Sequence, residues 1–302
     1  MATTATKKKR NAKPTKNNRV ELSAKRIGEL CVELQHLQRQ RSVCLKSRIM
    51  IANRLQAVVA GTMGYHSGMT EPERQKLMGQ AGKFINSVRK GEVESDLAAM
   101  IEAHTAGIDQ LQFQVKQLES AMVQVAKQLP IAVWVERKEQ RGFGLLFAAI
   151  VLGETGDLAN YANPAKIWRR LGCAPFTKDG VTRMGSTWRS NKKKPSLSKE
   201  DWTEFGYSPR RRSIAFLIGD NIVKLNADGP YRARYNEAKE AAKRNHPEWT
   251  VCPKCDGTGK NTRGKNCTNC KGTGRVAMHV HRHAMLLATK LLLKNFWVEW
   301  NK

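Results

Sequence analysis

The sequence predicts a mostly α-helical protein: a long antiparallel helical hairpin, or coiled coil, followed by a helical domain that carries a small cysteine knuckle. Three observations carry that expectation. Two long stretches repeat apolar residues at alternating spacings of three and four, which keeps one helix face apolar. The second half is cut into short apolar runs by Gly, Pro, Asp and Asn, placed where helices start and stop. Four of the seven cysteines stand as two CxxC pairs, which marks out one compact non-helical piece.

The first stripe lies in residues 22–60 and runs through Ile27, Leu30, Leu34, Leu37, Arg41, Cys44, Arg48, Ile51, Leu55 and Val58. Arg41 and Arg48 interrupt it. Burying a guanidinium without a partner is costly, so the seam is expected to fray there or to meet a partner. The glycines of GTMGYHSG end this helix at 61–68, and Glu71 to Lys90 form a shorter one with Pro72 near its start. The second stripe runs through Ile101, His104, Ile108, Leu111, Val115, Leu118, Met122, Val125 and Leu129, with His104 as a core histidine. Two stripes joined by a reversal make a hairpin with arms of roughly 45–60 Å at about 1.5 Å per residue. It serves either as scaffold or, through its exposed second face, as a homodimerisation or spacing device.

Charge narrows the partner. The 302 residues carry a formal net charge of +27. Residues 1–20 hold seven Lys and Arg and no acid, which reads as a disordered basic arm. Residues 21–130 are nearly balanced, with 14 basic and 11 acidic residues, whereas residues 131–302 hold 32 and 15. Such an excess repels itself unless a polyanion neutralises it, and nucleic acid is the usual polyanion. No run approaches the roughly 20 apolar residues of a membrane span, and no apolar segment follows Lys7–Arg10, so a secretory signal is not expected. Cys31, Cys44 and Cys173 are scattered at helix-like apolar positions, as in a reducing compartment.

Residues 131–302 begin after Pro130. GFGLLFAAIVLGETGDL is a buried helix stopped by Gly153 and Gly156, and AKIWRRLG is a second helix with Pro164 just inside it and Gly172 as its stop. Asp157 or Asn163 caps the segment after the first of them. From Ala174 to Gly206 the chain reads as a basic loop, in which Arg183, Arg189, Lys192, Lys193 and Lys194 interleave with Trp188 and Trp202. Cations mixed with indoles suit a surface that grips phosphates and stacks unpaired bases; the plain alternative is a solvated loop. The next helix, SPRRRSIAFLIGDNIVKL, opens on Arg210, Arg211 and Arg212. Three cations there oppose the helix dipole, and a phosphate bound at that end would reverse the sign.

The stretch GFGLLFAAIVLGETGDLANYANPAKIWRRLGCAPF resembles the C-terminal domain of the bridge-RNA insertion-sequence transposases, through Glu154, Gly156, Asp157, Pro164, Leu171, Gly172, Ala174 and Pro175. With the hairpin before it and the arginine-led helix after it, the block also resembles the Nop domain of box C/D ribonucleoproteins and, combining both, the standalone Tas proteins of TIGR-Tas RNA-guided systems. The resemblance implies a guide-RNA-binding protein of a prokaryote or phage, cytoplasmic and nucleoid-associated, that recognises target DNA by base pairing. It implies backbone contacts from Arg210–Arg212 and Lys192–Lys194 and stacking by Trp188 and Trp202. The transposases carry an acidic nuclease domain where this chain has its basic arm, and a serine nucleophile where it has Phe205 or Gly206, with Ser208 out of register. The expectation is therefore no catalytic residue. The rival readings are a bridge-RNA-type transposase or recombinase, and a nonspecific nucleic-acid-binding scaffold.

PYRARYNEAKEAAKRN at 230–245 reads as a charged surface helix. Then, in 246–277, Cys252, Cys255, Cys267 and Cys270 follow the pattern C-x2-C-x11-C-x2-C. Four thiolates so spaced suit one structural, tetrahedral Zn2+. The two CxxCxGxG units resemble the cysteine-rich repeats of DnaJ chaperones, but no J-domain motif accompanies them. The final helix, from 278, is apolar enough to pack back on the domain, and His279, His281 and His283 alternate in a way that does not put three ligands on one face.

Overall fold

The computed structural model describes residues 22–185, 187, 197–225 and 228–302. The basic arm at 1–20 and the site candidates Trp188, Arg189, Lys192, Lys193 and Lys194 lie outside these described residues. Among them the chain is mostly helical, with one two-stranded sheet.

Helix α1 (Ala24–Thr62) starts where the Ser23 hydroxyl accepts the Arg26 amide at 3.2 Å. Helix α2 (Glu71–Arg89) opens on a reciprocal box between Thr70 and Glu73, with Pro72 in its first turn. Helix α3 (Ala98–Gln128) lies along α1. The contacts Arg41–Glu119 (2.7 Å), Cys44–Gln114 (3.6 Å) and Arg48–Gln112 run up one helix and down the other. The two arginines that interrupt the apolar stripe thus meet polar partners on α3. Apolar packing concentrates at the ends. At one end Leu55, Val59 and Ala60 of α1 close on Ala81 and Ile85 of α2 and on Ile101 of α3. At the other, Leu30, Leu34, Met122 and Val125 enter the main core, which also contains residues of 131–302. One buried core therefore runs across position 130.

The second half supplies helix α4 (Ala132–Val135), α5 (Leu145–Thr155), α6 (Pro164–Arg170), strands β1 (Pro175–Lys178) and β2 (Val181–Met184), then α7 (Lys199–Phe205), α8 (Pro209–Leu225), α9 (Pro230–Asn245) and α10 (Met278–Trp300). Helix α5 is apolar on every side and is buried accordingly, Ala148 to Leu152 without a break. Asp157 and Asn163 both act as caps, accepting from the amides of Ala159 and Lys166. Helix α10 runs through the middle. Val280, Ala284, Ala288, Leu292 and Phe296, four residues apart, are all fully buried. Phe296 meets Phe143 and Trp134 with ring centroids at 5.3 and 5.8 Å. Three indole N–H groups fasten α10 to its neighbours: Trp168 donates to the Lys290 carbonyl at 3.1 Å, Trp297 to the Tyr161 carbonyl at 2.9 Å, and Trp300 to Asp157 at 2.8 Å. No described helix is long and apolar enough to cross a membrane.

Helices α1 and α5 cross at Gly153. A Cβ there would lie 2.6 Å from Gln38 Cβ and 2.9 Å from the Leu34 carbonyl oxygen. Gly153→Ala is expected to lower stability by about 1–3 kcal/mol through overpacking, although alanine is the better helix former. Urea unfolding followed by circular dichroism measures this, and an unchanged midpoint would mean that the crossing gives way without strain.

The structure differs from the sequence reading between Ala174 and Gly206. Instead of one loop, β1 and β2 pair antiparallel across Asp179-Gly180, both residues with positive φ, 50° and 74°. Such a two-residue turn matches the twist of its strands. Helix α7 follows, with Ser198 and Asp201 forming its capping box.

Candidate functional site

The centre of the cationic region is one carboxylate. Glu154 sits near the C-terminal end of α5 with its side chain 1% exposed. Its Oε1 accepts from Gln38 Nε2 at 2.8 Å, and its Oε2 accepts from Arg210 Nη2 at 2.7 Å and Arg211 Nε at 3.2 Å. Arg170 donates to the Glu154 backbone carbonyl at 3.3 Å, and Arg210 also donates to Ser42. Two of the three arginines that open α8 thus meet an anion of the protein's own, where a bound phosphate was expected. This settles the local dipole conflict, because a buried carboxylate stands beside the first turn.

One carboxylate does not balance the guanidiniums around it. Burial pushes Arg211 below the usual guanidinium range, the nearby Arg170 adds to that, and Glu154 acts against both. Arg210 keeps 40% of its side chain exposed, and Arg211 keeps 18%. Arg212 points elsewhere, with Nη1 3.8 Å from the Cys173 sulfur. Burial pushes the Cys173 thiol up. Burial likewise pushes the half-buried Lys290 down, and Arg212 lowers it further.

Two clefts open beside this cluster and share Gly206. One, of about 430 Å³, is bordered by Tyr161, Lys166, Arg169, Arg170 and Phe205. Arg169 donates to the carbonyls of Glu204 and Phe205, both at 3.3 Å, which ties α6 to the end of α7. The other, of about 560 Å³, is bordered by Lys199, Trp202, Tyr207 and Arg211. Trp202 belongs to a small aromatic cluster. Phe176 stacks on Phe205 at 4.1 Å, and Trp202 meets Phe176 edge-on at 5.9 Å and Tyr207 at 5.2 Å. Arg183 lies opposite Phe176 on β2 and is half-buried. The acids nearby are Asp201, paired with Lys178, and the exposed Glu200 and Glu204. The structure therefore brings Arg210, Arg211 and Trp202 into one neighbourhood and adds Lys166, Arg169 and Arg170, which the sequence reading treated only as part of a short helix. The adjacent arginines in IWRRLG were the available signal, but they also suit the last turn of any helix.

The second constellation is the knuckle. The sulfurs of Cys252, Cys255, Cys267 and Cys270 all lie within 4.8 Å of one another, and all four residues are buried. Cys252 and Cys267 are 3.9 Å apart, and Cys255 and Cys270 3.7 Å. A metal at about 2.3 Å from four sulfurs at tetrahedral corners places those sulfurs about 3.8 Å apart, whereas a disulfide needs about 2.05 Å. The donor set thus fits one structural metal ion.

The backbone builds that geometry twice. Cys252 N–H donates to the Gly274 carbonyl at 2.9 Å and Cys267 N–H to the Gly259 carbonyl at 2.8 Å, so each CxxCxGxG unit closes on the other. Thr258 and Thr273 repeat the same 2.7 Å bond to the carbonyls of Cys255 and Cys270. A Cβ on Gly259 would lie 2.3 Å from the Gly272 oxygen, and one on Gly274 2.1 Å from the Gly257 oxygen, so neither position admits a side chain. The packed thiols are pushed in opposite directions: the Asn269 amide and the backbone amides of Lys254 and Cys255 hold Cys252 below its ordinary value against its burial, whereas burial pushes Cys255 up. Among the described residues, no other group of three or more His, Cys, Asp or Glu side chains is gathered closely enough to hold a metal ion.

Comparison with protein-family models, with curated proteins and with solved structures found no match for this chain.

Proposed function

We propose that this chain is a guide-RNA-binding protein of an RNA-guided DNA-recognition system, of the Tas-like kind, with no nuclease centre of its own and one structural zinc ion. The observation that carries the reading is the cation surplus around Gly206. Lys166, Arg169, Arg170, Lys199 and Arg211 border two adjoining clefts walled by Trp202, Phe205 and Tyr207, and Arg210 stands behind them on the single buried carboxylate that it shares with Arg211. A phosphodiester backbone supplies the missing negative charge, and aromatic walls suit unstacked bases. In this reading Glu154 holds Arg210 and Arg211 in place, and Arg169 and Lys166 meet the backbone. Arg183 belongs to the same proposed surface, and Lys192–Lys194, Arg189 and Trp188, outside the described residues, are proposed as contacts from the sequence alone. The partners are guide RNA and target DNA, with a homodimer through the long helices, in the cytoplasm of a prokaryote or in a phage-infected cell. Zinc is preferred because four thiolates in a closed shell suit a redox-inert tetrahedral ion; iron is the competitor.

The test is the nucleic acid that accompanies the purified protein. One short, discrete RNA species is expected; a heterogeneous mixture would favour nonspecific binding. Lys166→Gln combined with Arg169→Gln should weaken binding of that RNA and lower its log–log salt slope by about 1.4–1.8. An unchanged slope would remove these residues from the interface. Elemental analysis should give one zinc per chain in a colourless protein, and visible charge-transfer bands with bound iron would overturn the zinc assignment.

A further inference from the structure

A cleft of about 800 Å³ lies between the knuckle and helices α9 and α10, and it shares no bordering residue with the two cationic clefts. Trp249, Val251 and Met278 give it apolar surface, Asn269 faces it from the knuckle, and Lys239 and Arg282 border it from the helices. The indole is fixed. His246 stacks on it at 4.0 Å with 8° between the planes, and His279 and His283 meet it at 4.5 and 5.3 Å. Val251 and Met278, 43% and 54% exposed, remain open to solvent.

The charge of this wall is one-sided. Its carboxylate, Glu248, lies 3.1 Å from His246. Among the described residues, neither Lys239 nor Arg282 forms an ion pair, and Lys239 lies over the Tyr235 ring at 5.6 Å. The adjoining knuckle exposes Lys254, Lys260, Arg263, Lys265, Lys271 and Arg275 against a single acid, Asp256. A rigid indole beside an open thioether suits a flat, polarisable ring, and cations at the border suit the phosphate attached to it. An acidic peptide matches the cations through its carboxylates but presents a flat ring only where it also carries an aromatic side chain.

We infer that this cleft is a second nucleic-acid site that takes one unpaired nucleotide of a single strand, its base against Trp249 and Met278 and its phosphate toward Lys239 and Arg282. The inference rests on the reading of the chain as a nucleic-acid-binding protein and gives the knuckle a role in it. The experiment uses the full, metal-loaded chain with labelled dT15 and, separately, a blunt DNA duplex. Trp249→Leu should weaken dT15 binding about tenfold, the scale of one lost base–aromatic stack, and leave duplex binding unchanged. Lys239→Gln with Arg282→Gln should lower the dT15 salt slope by about 1.4. If Trp249→Leu fails to fold, the double charge variant, both on helix surfaces, carries the test. Normal dT15 affinity and slope in the charge variant overturn the inference. So does an equal loss on duplex in Trp249→Leu, or displacement of labelled dT15 by polyglutamate as readily as by unlabelled dT15. A wild-type chain that binds neither DNA nor RNA removes the wider reading as well, whereas a wild-type chain that binds normally beside variants that match it removes the cleft alone.

Discussion

Replacing Glu154 by alanine is expected to lower stability by about 3 kcal/mol, toward the lower end of what removing one partner of a buried ion pair costs, because Arg210 keeps access to water. The substitution takes the acceptor from Gln38 Nε2, Arg210 and Arg211 at once. Gln38 is itself 2% exposed, and its Oε1 already lacks a partner, so its amide would be left with neither end satisfied. The measurement is denaturant unfolding of the wild type, Glu154→Ala and Glu154→Gln. The glutamine variant keeps an acceptor oxygen and should lose less. A second consequence separates this account from plain packing loss. With the internal anion gone, its guanidiniums are free for an external one, so inorganic phosphate should stabilise Glu154→Ala more than the wild type through ordinary binding linkage. Equal stabilisation of both would show that the arginines do not respond to the vacancy, and a wild-type midpoint in Glu154→Ala would remove the ion cluster from the account of stability.

Stripping the metal should unfold the knuckle and leave the helices folded. Its buried interior consists of the four cysteines, with Val276 packed beside them. Apolar burial of that size is too small to order the surrounding loops by itself, and in a site of this kind metal binding and folding are coupled. Chelation, or Cys267→Ser, should therefore leave the far-UV helix signal nearly unchanged and open Lys254, Lys260 and Lys265 to rapid tryptic cleavage. Protection of those bonds after complete metal removal would show that the loops stand by hydrogen bonds alone.

The helical character of the chain was legible because periodicity and caps are local. Asn163, Pro164 and Gly172 bracket α6 as their residue types demand, and the cysteine spacing by itself located the four clustered thiols. Contacts between distant segments were less legible. Arg210 and Glu154 are 56 positions apart, and nothing in the run of three arginines announces a buried acid on another helix. The seam on α1 shows the same limit. The expected stripe holds at Leu30 and Leu34, which are buried, but then passes through Leu37, Arg41, Cys44 and Arg48, whereas the next buried positions are Gln38 and Ser42. Helix α1 serves two neighbours, α3 and the apolar α5, so its covered face turns toward both. At the other end Val59 is buried and Val58 is 49% exposed, a shift of one residue that no pattern of apolar types distinguishes. Asp179-Gly180 was a readable hairpin signal, outweighed by the charges around it.

The two ends of the knuckle meet. Val276 N–H donates to the Thr250 carbonyl at 2.8 Å, and Val251 pairs with Arg275. The polypeptide leaves α9, makes a detour around the four sulfurs, and returns to where it left before starting α10. Topologically this is a side excursion: it could be gained, lost or exchanged without changing the register of the helices on either side. The surface it carries could then evolve independently of the framework that supports it.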